Sequence, residues 1–386
     1  MEKAGVIAHP PRTLHGRRIA IAGGGTAGHV QPALAVAEAY RSALPDVDIL
    51  FLGTPDGAES RLVPAHGYRL ATVTAAPFFG VGTAGRLRSV TALMAGAAQA
   101  RRLLRAEGSE LVLGFGNFAA AGALLGARTI GLRTVIHEAN AVAGVANRLL
   151  GRLVDRVLLG FAEAAPAFPR RATVLTGTPV RAAVRTLAGA RAEPRAPGPV
   201  RLLILGGSQG SPFLNAHVPG VVVRVARRGL ALEVRHQTGR GDPDPVSAAY
   251  QRGGVAADVR ASFDDVTAAY RWTDLAIACA GAITLAELAI AGLPALLVPL
   301  STAALDHQRA NARAFAAVTG VWWTGEDAWD ATAVEERLAV LVASAGERRA
   351  AASRMAAAAR PDAADAVVAA CEALLSATRA PAAIAP

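Results

Sequence analysis

The sequence predicts two α/β domains, each a doubly wound parallel sheet covered by helices on both faces. Short apolar runs alternate with longer helical stretches from Arg17 onward, a rhythm typical of strand–helix–strand units. A segment with three prolines (187–199) interrupts this rhythm near the middle of the chain, and the rhythm then restarts. With 386 residues, the chain also exceeds the usual size of a single core. We therefore expect two similar domains joined by a linker.

Composition narrows the possible partners. The hydrophobic fraction of 52% excludes a disordered chain, and the formal charge of +10 favours anionic partners such as acidic lipids or phosphate-bearing substrates. No basic tail, RNA-binding pattern or zinc finger is present, so nucleic acid is not expected as a partner. Two widely separated cysteines give no disulfide framework, which fits a reducing compartment. The N-terminus lacks a signal-peptide core, and we expect a soluble or peripheral protein.

The domain limits follow from the same features. Residues 1–16 are expected to be a disordered extension, 17–180 the first domain and 181–358 the second, while a final helix within 359–379 returns to the first domain. The predicted strands are Arg18–Ala22, Asp48–Leu52, Leu111–Gly114, Thr134–His137, Val157–Leu159, Val200–Leu205, Glu233–Gln237, Val259–Ser262, Leu275–Ala278 and Ala295–Pro299. The predicted helices are Val30–Arg41, Leu87–Glu107, Pro212–Arg227, Val266–Tyr270, Ile283–Ala291, Asp306–Val318 and Asp362–Arg379.

The first of three glycine-rich turns, GGGTAGH (23–29), lies between a strand and a helix. Glycine backbone and the unpaired N–H groups of a helix start suit a phosphate. The spacing also fits a nicotinamide dinucleotide site, but the acidic residue that such a site needs is missing where the second strand ends, at Leu52-Gly53-Thr54. A dehydrogenase is therefore disfavoured. His29 can take a proton from a hydroxyl or make one structural hydrogen bond, and its glycine-rich surroundings favour the catalytic role.

The other two turns lie in the second half. GGSQG (206–210) adds the hydroxyl of Ser208, which can donate to a phosphate oxygen, although the turn also suits a plain strand–helix connection. The turn at 280–284 leads to Glu287. Thr284 and Glu287 have the spacing of a capping box, while a carboxylate at this position also suits a ribose diol, and the spacing leaves both open. Turns in both halves favour two phosphate-bearing ligands that meet in one cleft.

Polar residues follow two further strands. Asn140 comes directly after the strand that ends at His137, and Gln308 and Asn311 lie on an early turn of a helix. Amide side chains at the carboxyl ends of strands suit sugar hydroxyls, although a solvated helix start would show the same residues. The HExxH spacing is absent, and no metal site is predicted.

Together these motifs resemble the MurG-type glycosyltransferases of family 28, over about Arg18 to Leu374. The matching segments are GGGTAGHVQPALAVAEAY (23–40), FLGTPDGAESRLVPAHGY (51–68), HEANAVAGVANRLL (137–150), TGTPVR (176–181), LGGSQGSPFLN (205–215), HQTGRGD (236–242), FDDVTAAYRWTDLAIACAGAITLAELAIAGLPALLVPL (263–300) and DHQRANA (306–312). Several long motifs in the same order make the resemblance specific, unlike any one motif.

The resemblance implies the GT-B fold, in which two Rossmann-like domains face each other across a cleft. It also implies an inverting transfer that uses UDP-N-acetylglucosamine as co-substrate and needs no metal or other cofactor. The uracil would contact Phe263, the ribose Glu287, and the diphosphate Ser208 and Arg181. The full donor set implied is Thr26, Ala27, Gly28, Asn140, Arg181, Ser208, Phe263, Ala282, Ile283, Thr284, Leu285, Glu287 and Gln308.

The implied acceptor is polyprenyl-linked: lipid I, the undecaprenyl-pyrophosphoryl N-acetylmuramoyl pentapeptide of peptidoglycan synthesis. Its pyrophosphate would contact Gly24, Gly25 and Gly28, and His29 would be the catalytic base. Ala27, Ala139 and Cys279 depart from the family pattern, so a related enzyme that glycosylates another lipid phosphate is the alternative. A protein that binds nucleotide sugars without catalysis is the other class.

The family works at the cytoplasmic face of the membrane as a peripheral protein, docked on anionic lipid through an apolar and basic patch of its first domain. The residues of this chain that would form the patch are Phe78, Phe79, Val81, Leu87, Arg86, Arg88, Arg101, Arg102 and Arg105. An ordinary loop followed by a solvated helix face is the alternative interpretation.

Overall fold

The structure is a computed structural model that describes residues 6–7, 16–76, 83–190, 198–207 and 209–377. It divides into two compact units. The first contains the described residues up to Glu138, the segment Ala143–Pro179, and the described residues from Asp362 onward. The second contains Ala139–Val142 and Val180–Pro361. The short excursion at Ala139–Val142 was not expected from the sequence, and most of the predicted linker at 187–199 lies outside the described residues.

The first unit is built on one twisted sheet. Its strands are β1 (Val6–Ile7), β2 (Arg18–Ala22), β3 (Asp48–Gly53), β4 (Arg69–Thr72), β5 (Leu111–Gly114), β6 (Arg133–Glu138), β7 (Arg156–Leu159) and β8 (Thr173–Leu175). They lie in the order β1-β4-β3-β2-β5-β6-β7-β8, and every neighbouring pair is parallel except β1 with β4. The helices of this unit are α1 (Ala27–Ala43), α2 (Glu59–Ala65), α3 (Thr83–Glu107), α4 (Asn117–Arg128), α5 (Val145–Leu150) and α14 (Ala363–Ser376).

The second unit repeats this architecture on a parallel sheet. Its strands are β9 (Val200–Leu205), β10 (Leu232–Gln237), β11 (Ala256–Arg260), β12 (Leu275–Ala278), β13 (Ala295–Leu297) and β14 (Trp322–Trp323), in the order β11-β10-β9-β12-β13-β14. Its helices are α6 (Ala182–Arg185), α7 (Pro212–Arg227), α8 (Asp244–Arg252), α9 (Val266–Trp272), α10 (Ala282–Ile290), α11 (His307–Thr319), α12 (Ala331–Ala343) and α13 (Ala345–Ala357). The predicted fold class, two doubly wound α/β domains, is confirmed.

Small residues let the helices of the first unit approach closely. On α4, Gly126 lies so near α3 that a Cβ built on it would overlap the carbonyl oxygen of Ala97. On α3, Gly96 is equally close to the carbonyl of Thr74. Small residues on α3 and α4 therefore allow close packing between neighbouring elements, as the composition predicted.

The second unit contains a buried chain of polar side chains beside β10. Asn215 donates through Nδ2 to the carbonyl of Thr238 (3.1 Å), so its Oδ1 faces the imidazole of His236 and accepts from Nε2 (3.1 Å). The hydroxyl of Tyr250 donates to Nδ1 of the same ring (3.0 Å). His236 is fully buried, and burial lowers its pKa to about 3. The imidazole is therefore neutral in the folded protein.

One predicted strand was misplaced. The strand predicted at Val259–Ser262 overlaps β11 only in part, because β11 begins at Ala256 and ends at Arg260. Its register explains the shift, because β10 pairs Glu233 with Ala256 and recruits two alanines with low strand propensity into the sheet edge. Within the described residues, no helix is both long and apolar enough to cross a membrane.

Candidate active site

Each sheet reverses its winding at one position, and a glycine turn lies there in both units. In the first sheet, β2 lies between β3 and β5, so the chain winds in opposite directions from this strand. In the second sheet, β9 lies between β10 and β12 in the same way. Ligands of doubly wound sheets bind at the carboxyl ends of strands at such a switch point. The turns at 23–29 and 206–210 follow β2 and β9 and therefore lie where ligands are expected.

His29 lies in the first turn of α1. The helix begins at Ala27 after the N-cap residue Thr26, and the carbonyl of Thr26 accepts from the N–H of His29 (3.1 Å). A Cβ built on Gly116, in the loop after β5, would lie 3.3 Å from both Nδ1 and Cε1 of the imidazole. The ring is half-buried and lies beside the glycine loop at the switch point. The structure therefore places His29 where the sequence predicted it, with the ring beside a second glycine.

The glycine loop itself contains a side chain that the sequence analysis missed. Glu59, the first residue of α2, is fully buried and accepts the N–H of Gly25 (2.7 Å). This N–H is therefore already used inside the protein, and the predicted contact from Gly25 to a pyrophosphate is not supported. Gly24 and Gly28 remain as candidates. Ala27 is the first residue of α1, so its backbone is helical and this departure from the family pattern needs no positive φ.

His137 and Glu138 end β6 and support the loop that follows. Nε2 of His137 donates to the carbonyl of Gly177 (2.9 Å), and burial lowers the pKa of this imidazole. Glu138 accepts from the N–H of Gly144 (3.0 Å) and from Nδ2 of Asn147 (2.8 Å). Both side chains are buried. The contacts of Glu138 connect the end of β6 to the start of α5.

In the second unit, Glu287 on α10 lies at the centre of a polar cluster. Its Oε1 accepts two hydrogen bonds from Arg181, from Nε (3.1 Å) and from Nη2 (3.0 Å). Its Oε2 accepts from the hydroxyl of Tyr270 (2.8 Å), and burial together with this carboxylate raises the pKa of Tyr270 well above its ordinary value. Glu287 is only 3% exposed, whereas the side chain of Arg181 is 35% exposed. The cluster is therefore accessible mainly from the arginine side.

The start of α10 offers backbone donors beside this cluster. Gly281 is the N-cap, so the N–H groups of Ala282, Ile283 and Thr284 have no partner within the helix and the positive end of its dipole lies there. The capping-box interpretation is wrong, because Thr284 lies inside the helix rather than at its N-cap. The predicted contact of Leu285 is not supported either. Its side chain is fully buried and its N–H bonds to the carbonyl of Gly281 (3.0 Å).

Three amide side chains lie near the end of β12, and two of them bond to each other. Oε1 of Gln308 accepts the N–H groups of Ala280 and Leu300, both at 3.0 Å, so only its NH₂ group can contact a sugar hydroxyl. The fully buried Asn311 donates from Nδ2 to Oδ1 of Asn140 (3.1 Å). This bond fixes which way the Asn140 amide faces. Gln308 and Asn140 are thus both held in defined orientations.

Two predicted donor-binding residues remain, Ser208 and Phe263. Ser208 lies outside the described residues. Phe263 follows β11 and is half-buried, and the guanidinium of Arg260 lies 5.9 Å from the centre of its ring.

Cys279 is buried at the end of β12, where burial raises the pKa of its thiol to about 12. This thiol is therefore protonated and belongs to the core rather than to a reactive site.

Comparison with known sequences decides the family. The family model described as the glycosyltransferase family 28 N-terminal domain matches residues 19–159, and the one described as the family 28 C-terminal domain matches residues 201–367. The chain belongs to glycosyltransferase family 28. The two matched segments contain both glycine turns at the switch points, and the second contains the Glu287 cluster except Arg181. The predicted family is confirmed.

Two relatives of this family 28 chain share one name. A protein of Acidithiobacillus ferrooxidans is 42% identical over 359 residues, which is 92% of this chain and 96% of the relative. A protein of Geobacter metallireducens is 41% identical over 298 residues, covering 77% of this chain and 82% of the relative. Both are named UDP-N-acetylglucosamine–N-acetylmuramyl-(pentapeptide) pyrophosphoryl-undecaprenol N-acetylglucosamine transferase.

Comparison with solved structures supports the fold. The crystal structure of MurG from Acinetobacter baumannii superposes with a TM-score of 0.73 at 27% identity, covering 92% of this chain and 99% of that one. The glycosyltransferase of kitacinnamycin superposes with a TM-score of 0.64 at 15% identity, which shows a shared fold alone. The prediction of two Rossmann-like domains of the GT-B class is confirmed by these matches.

Proposed function

We propose that this family 28 enzyme transfers N-acetylglucosamine from UDP-N-acetylglucosamine to lipid I and forms lipid II for peptidoglycan synthesis. The two relatives that carry this activity in their names match 77% and 92% of the chain. The observation that carries the proposal most directly is the Glu287 cluster together with the start of α10. It combines a buried carboxylate suited to a ribose diol with backbone donors suited to a diphosphate.

In this proposal the donor binds to the second unit. The ribose hydroxyls of UDP-N-acetylglucosamine donate to Glu287, and the diphosphate accepts from the N–H groups at the start of α10, from Arg181 and from the turn at 206–210. Gln308 and Asn140 contribute NH₂ donors to the sugar, and the backbone near Phe263 receives the uracil. The loop from Thr26 to Gly28 completes the contacts to the sugar.

The acceptor hydroxyl of the muramoyl sugar attacks C1 of N-acetylglucosamine from the face opposite the diphosphate. Its proton passes to the imidazole of His29, the bond between C1 and the phosphate oxygen breaks, and UDP leaves with the electron pair. The anomeric centre is inverted because the reaction has a single displacement. The pyrophosphate of the acceptor contacts Gly24 and Gly28 at the start of α1.

The departing UDP carries negative charge that must be stabilised. We propose that the N-terminal end of α10, with Arg181, supplies this stabilisation, so that the transfer needs no metal and no cofactor besides the donor itself. Oriented N–H groups and a helix dipole act at fixed positions and cost no reorganisation during the reaction.

We further propose that the protein works at the cytoplasmic face of the membrane through one face of α3. Leu87, Val90 and Met94 recur at the spacing of one helix face and are 68%, 43% and 64% exposed. The exposed arginines of the same helix that would meet anionic lipid are Arg88, Arg101, Arg102 and Arg105. Phe78, Phe79 and Val81 lie outside the described residues, and the side chain of Arg86 is not described.

The alternative acceptor, another lipid phosphate, has no observation of its own in favour. It rested on departures from the family pattern, and Ala27 occupies an ordinary helical position. Cys279 lies in the core. The deciding experiment is a transfer screen with purified protein, radiolabelled UDP-N-acetylglucosamine and a panel of polyprenyl-phosphate acceptors that includes lipid I. Labelled lipid II supports the proposal, whereas transfer confined to another acceptor, or donor binding without transfer, contradicts it.

A further inference from the structure

Glu59 is a buried carboxylate that no step of the proposed reaction uses. It is fully buried at the start of α2, where a charged side chain is costly unless hydrogen bonds replace its water. Oε1 accepts from both the N–H (2.8 Å) and the hydroxyl (2.7 Å) of Thr54, and Oε2 accepts from the N–H of Gly25 (2.7 Å). The carboxylate thus connects the loop after β3 to the glycine loop after β2.

Three glycines provide the space for this carboxylate. A Cβ built on Gly24 or Gly57 would overlap its oxygens, and one built on Gly53 would overlap its Cγ. These three positions are separated along the chain but surround the same side chain. Glycine at Gly24 therefore has a reason besides access for a phosphate. It leaves room for a group inside the protein.

Both polar groups of the Gly25 backbone are held from α2. Glu59 accepts its N–H, and the N–H of Ala58 donates to its carbonyl (3.2 Å). Gly25 has a φ of 83°, a conformation that glycine adopts without strain. The next residue, Thr26, is the N-cap of α1, and its side chain makes no capping bond to fix the helix start. The bonds to Gly25 therefore fix the entry of α1.

We infer that Glu59 is a positioning residue that holds the base His29 through the glycine loop. The connection is short, because Thr26 follows Gly25 directly and its carbonyl accepts the N–H of His29 (3.1 Å). Glu59 does not contact substrate in this scheme. The inference rests on the proposed function, since it assigns Glu59 to the step in which His29 takes the acceptor proton.

The substitution Glu59→Gln tests this role with little change in size. A glutamine side chain has one acceptor oxygen, so it cannot accept from Gly25 and Thr54 at once, and its NH₂ meets one of the two backbone N–H groups. With UDP-N-acetylglucosamine and lipid I as substrates, we expect kcat to fall about 10- to 100-fold through misplacement of the base. The affinity for UDP, measured by calorimetry, is expected to stay unchanged.

A matched control lies at the N-terminal ends of β6 and β7, whereas the glycine loop follows the carboxyl end of β2. Asp155, just before β7, accepts the N–H (2.8 Å) and the hydroxyl (3.0 Å) of Thr134 in the same pattern as Glu59 at Thr54. Asp155→Asn removes an equivalent interaction far from any glycine loop and is expected to leave kcat unchanged. If Asp155→Asn lowered kcat as strongly as Glu59→Gln, the effect would be general destabilisation and the inference would be wrong.

A double-mutant cycle separates positioning from other effects. If Glu59 acts through His29, adding Glu59→Gln to His29→Ala lowers kcat by less than about twofold, because the base is already gone. Multiplicative losses would overturn the inference while leaving the transferase function intact. Should Glu59→Gln fold poorly, Thr54→Val removes only the hydroxyl bond to Oε1 and is expected to lower kcat a few fold. Wild-type kcat in that variant would count against the role.

A measurement that does not depend on enzymatic activity tests the role of Glu59 separately from the proposed function. Hydrogen–deuterium exchange of a peptide covering residues 23–30 is expected to speed up in Glu59→Gln and to stay unchanged in Asp155→Asn. Unchanged exchange in both variants would show that Glu59 does not hold the loop, whatever the substrate. Faster exchange with no transfer to lipid I by the wild-type protein would support the loop contact and refute the proposed acceptor.

Discussion

The guanidinium of Arg181 places two of its N–H groups on a single carboxylate oxygen of Glu287, at 3.1 and 3.0 Å. The other oxygen of Glu287 carries the hydroxyl of Tyr270. A carboxylate has about four acceptor positions, so three are occupied before any ligand binds. A ribose diol can bind Glu287 through both hydroxyls only if Arg181 turns away. The partly exposed side chain of Arg181 would then be available for the proposed contact with the diphosphate.

This relationship predicts that the carboxylate of Glu287 binds the ribose hydroxyls of UDP. We expect Glu287→Ala to weaken UDP binding about 10- to 100-fold, because hydrogen bonds to a charged group contribute about 1.5–3 kcal/mol. The affinity for 2′,3′-dideoxy-UDP, which lacks the diol, should change little. Calorimetry with both nucleotides measures the ratio. Tyr270→Phe is the control, since it keeps the carboxylate and should preserve the discrimination. An equal loss for both nucleotides would refute a ribose contact.

The catalytic role of His29 gives a second prediction. His29→Ala is expected to lower kcat about 10²- to 10⁴-fold, which is typical of the loss of a general base, with UDP affinity unchanged. Steady-state transfer to lipid I measures the first quantity and calorimetry the second. His66→Ala is the matched control, because His66 is an exposed histidine of the same unit, at the end of α2. Wild-type turnover in His29→Ala would remove this residue from the mechanism.

The buried His236 predicts a dependence of stability on pH. The pKa of His236 is about 3 in the folded protein and about 6.5 in the unfolded chain. Below pH 6.5 the unfolded state therefore binds a proton at this residue, whereas the folded state does not. Its contribution is complete above pH 6.5 and is lost as pH falls toward 3. We expect a loss of about 2 kcal/mol between pH 6.5 and pH 5 from this group.

The test compares the wild-type protein with His236→Gln by denaturant unfolding at pH 7.5 and pH 5. The substitution is expected to lower stability at pH 7.5 and to reduce the further loss at pH 5. Subtracting the two pH differences removes the contribution of other groups, including His137, whose pKa is also lowered. Equal pH sensitivity in both proteins would mean that His236 titrates normally.

The α3 face predicts how the protein binds lipid. Replacing both Leu87 and Met94 with Asp should reduce binding to vesicles containing phosphatidylglycerol at least tenfold, because it removes two apolar anchors and adds charge that anionic lipid repels. Binding is measured by co-sedimentation. Val318→Asp, at an equally exposed apolar residue on α11, is expected to bind like wild type. Strong binding of wild type to purely zwitterionic vesicles at high salt would argue against the role of the arginines.

The sequence predicted best the strands that lie in the interior of the two sheets. The strands β2, β5, β9 and β12 have the predicted limits, because each is a short, mostly buried apolar run that is visible in the sequence by itself. Edge strands such as β11 and short ones such as β1 and β8 were misplaced or missed. Their pairing depends on neighbours distant in sequence rather than on their own residues.

The site was predicted in part for the same reason. His29, Gln308 and the start of α10 follow directly from turns that are visible in the sequence. The role of Glu59 was missed because it depends on Thr54 and Gly25 together, and only the unusual glycine spacing at Gly53 and Gly57 hints at a buried group. For Glu287, the spacing to Thr284 suggested a capping box, whereas its actual partners Tyr270 and Arg181 lie 17 and 106 residues away.

The helix α14 completes the hydrophobic core of the first unit, where Val367 and Cys371 are fully buried together with Tyr40 of α1. Arg17, just before β2, also bonds to Glu372 (3.1 Å). During translation, the segment that finishes this core therefore leaves the ribosome only after every residue of the second unit. The earlier part of the first unit must wait with an open apolar surface until α14 has been synthesised, and chaperones have a long opportunity to bind it there.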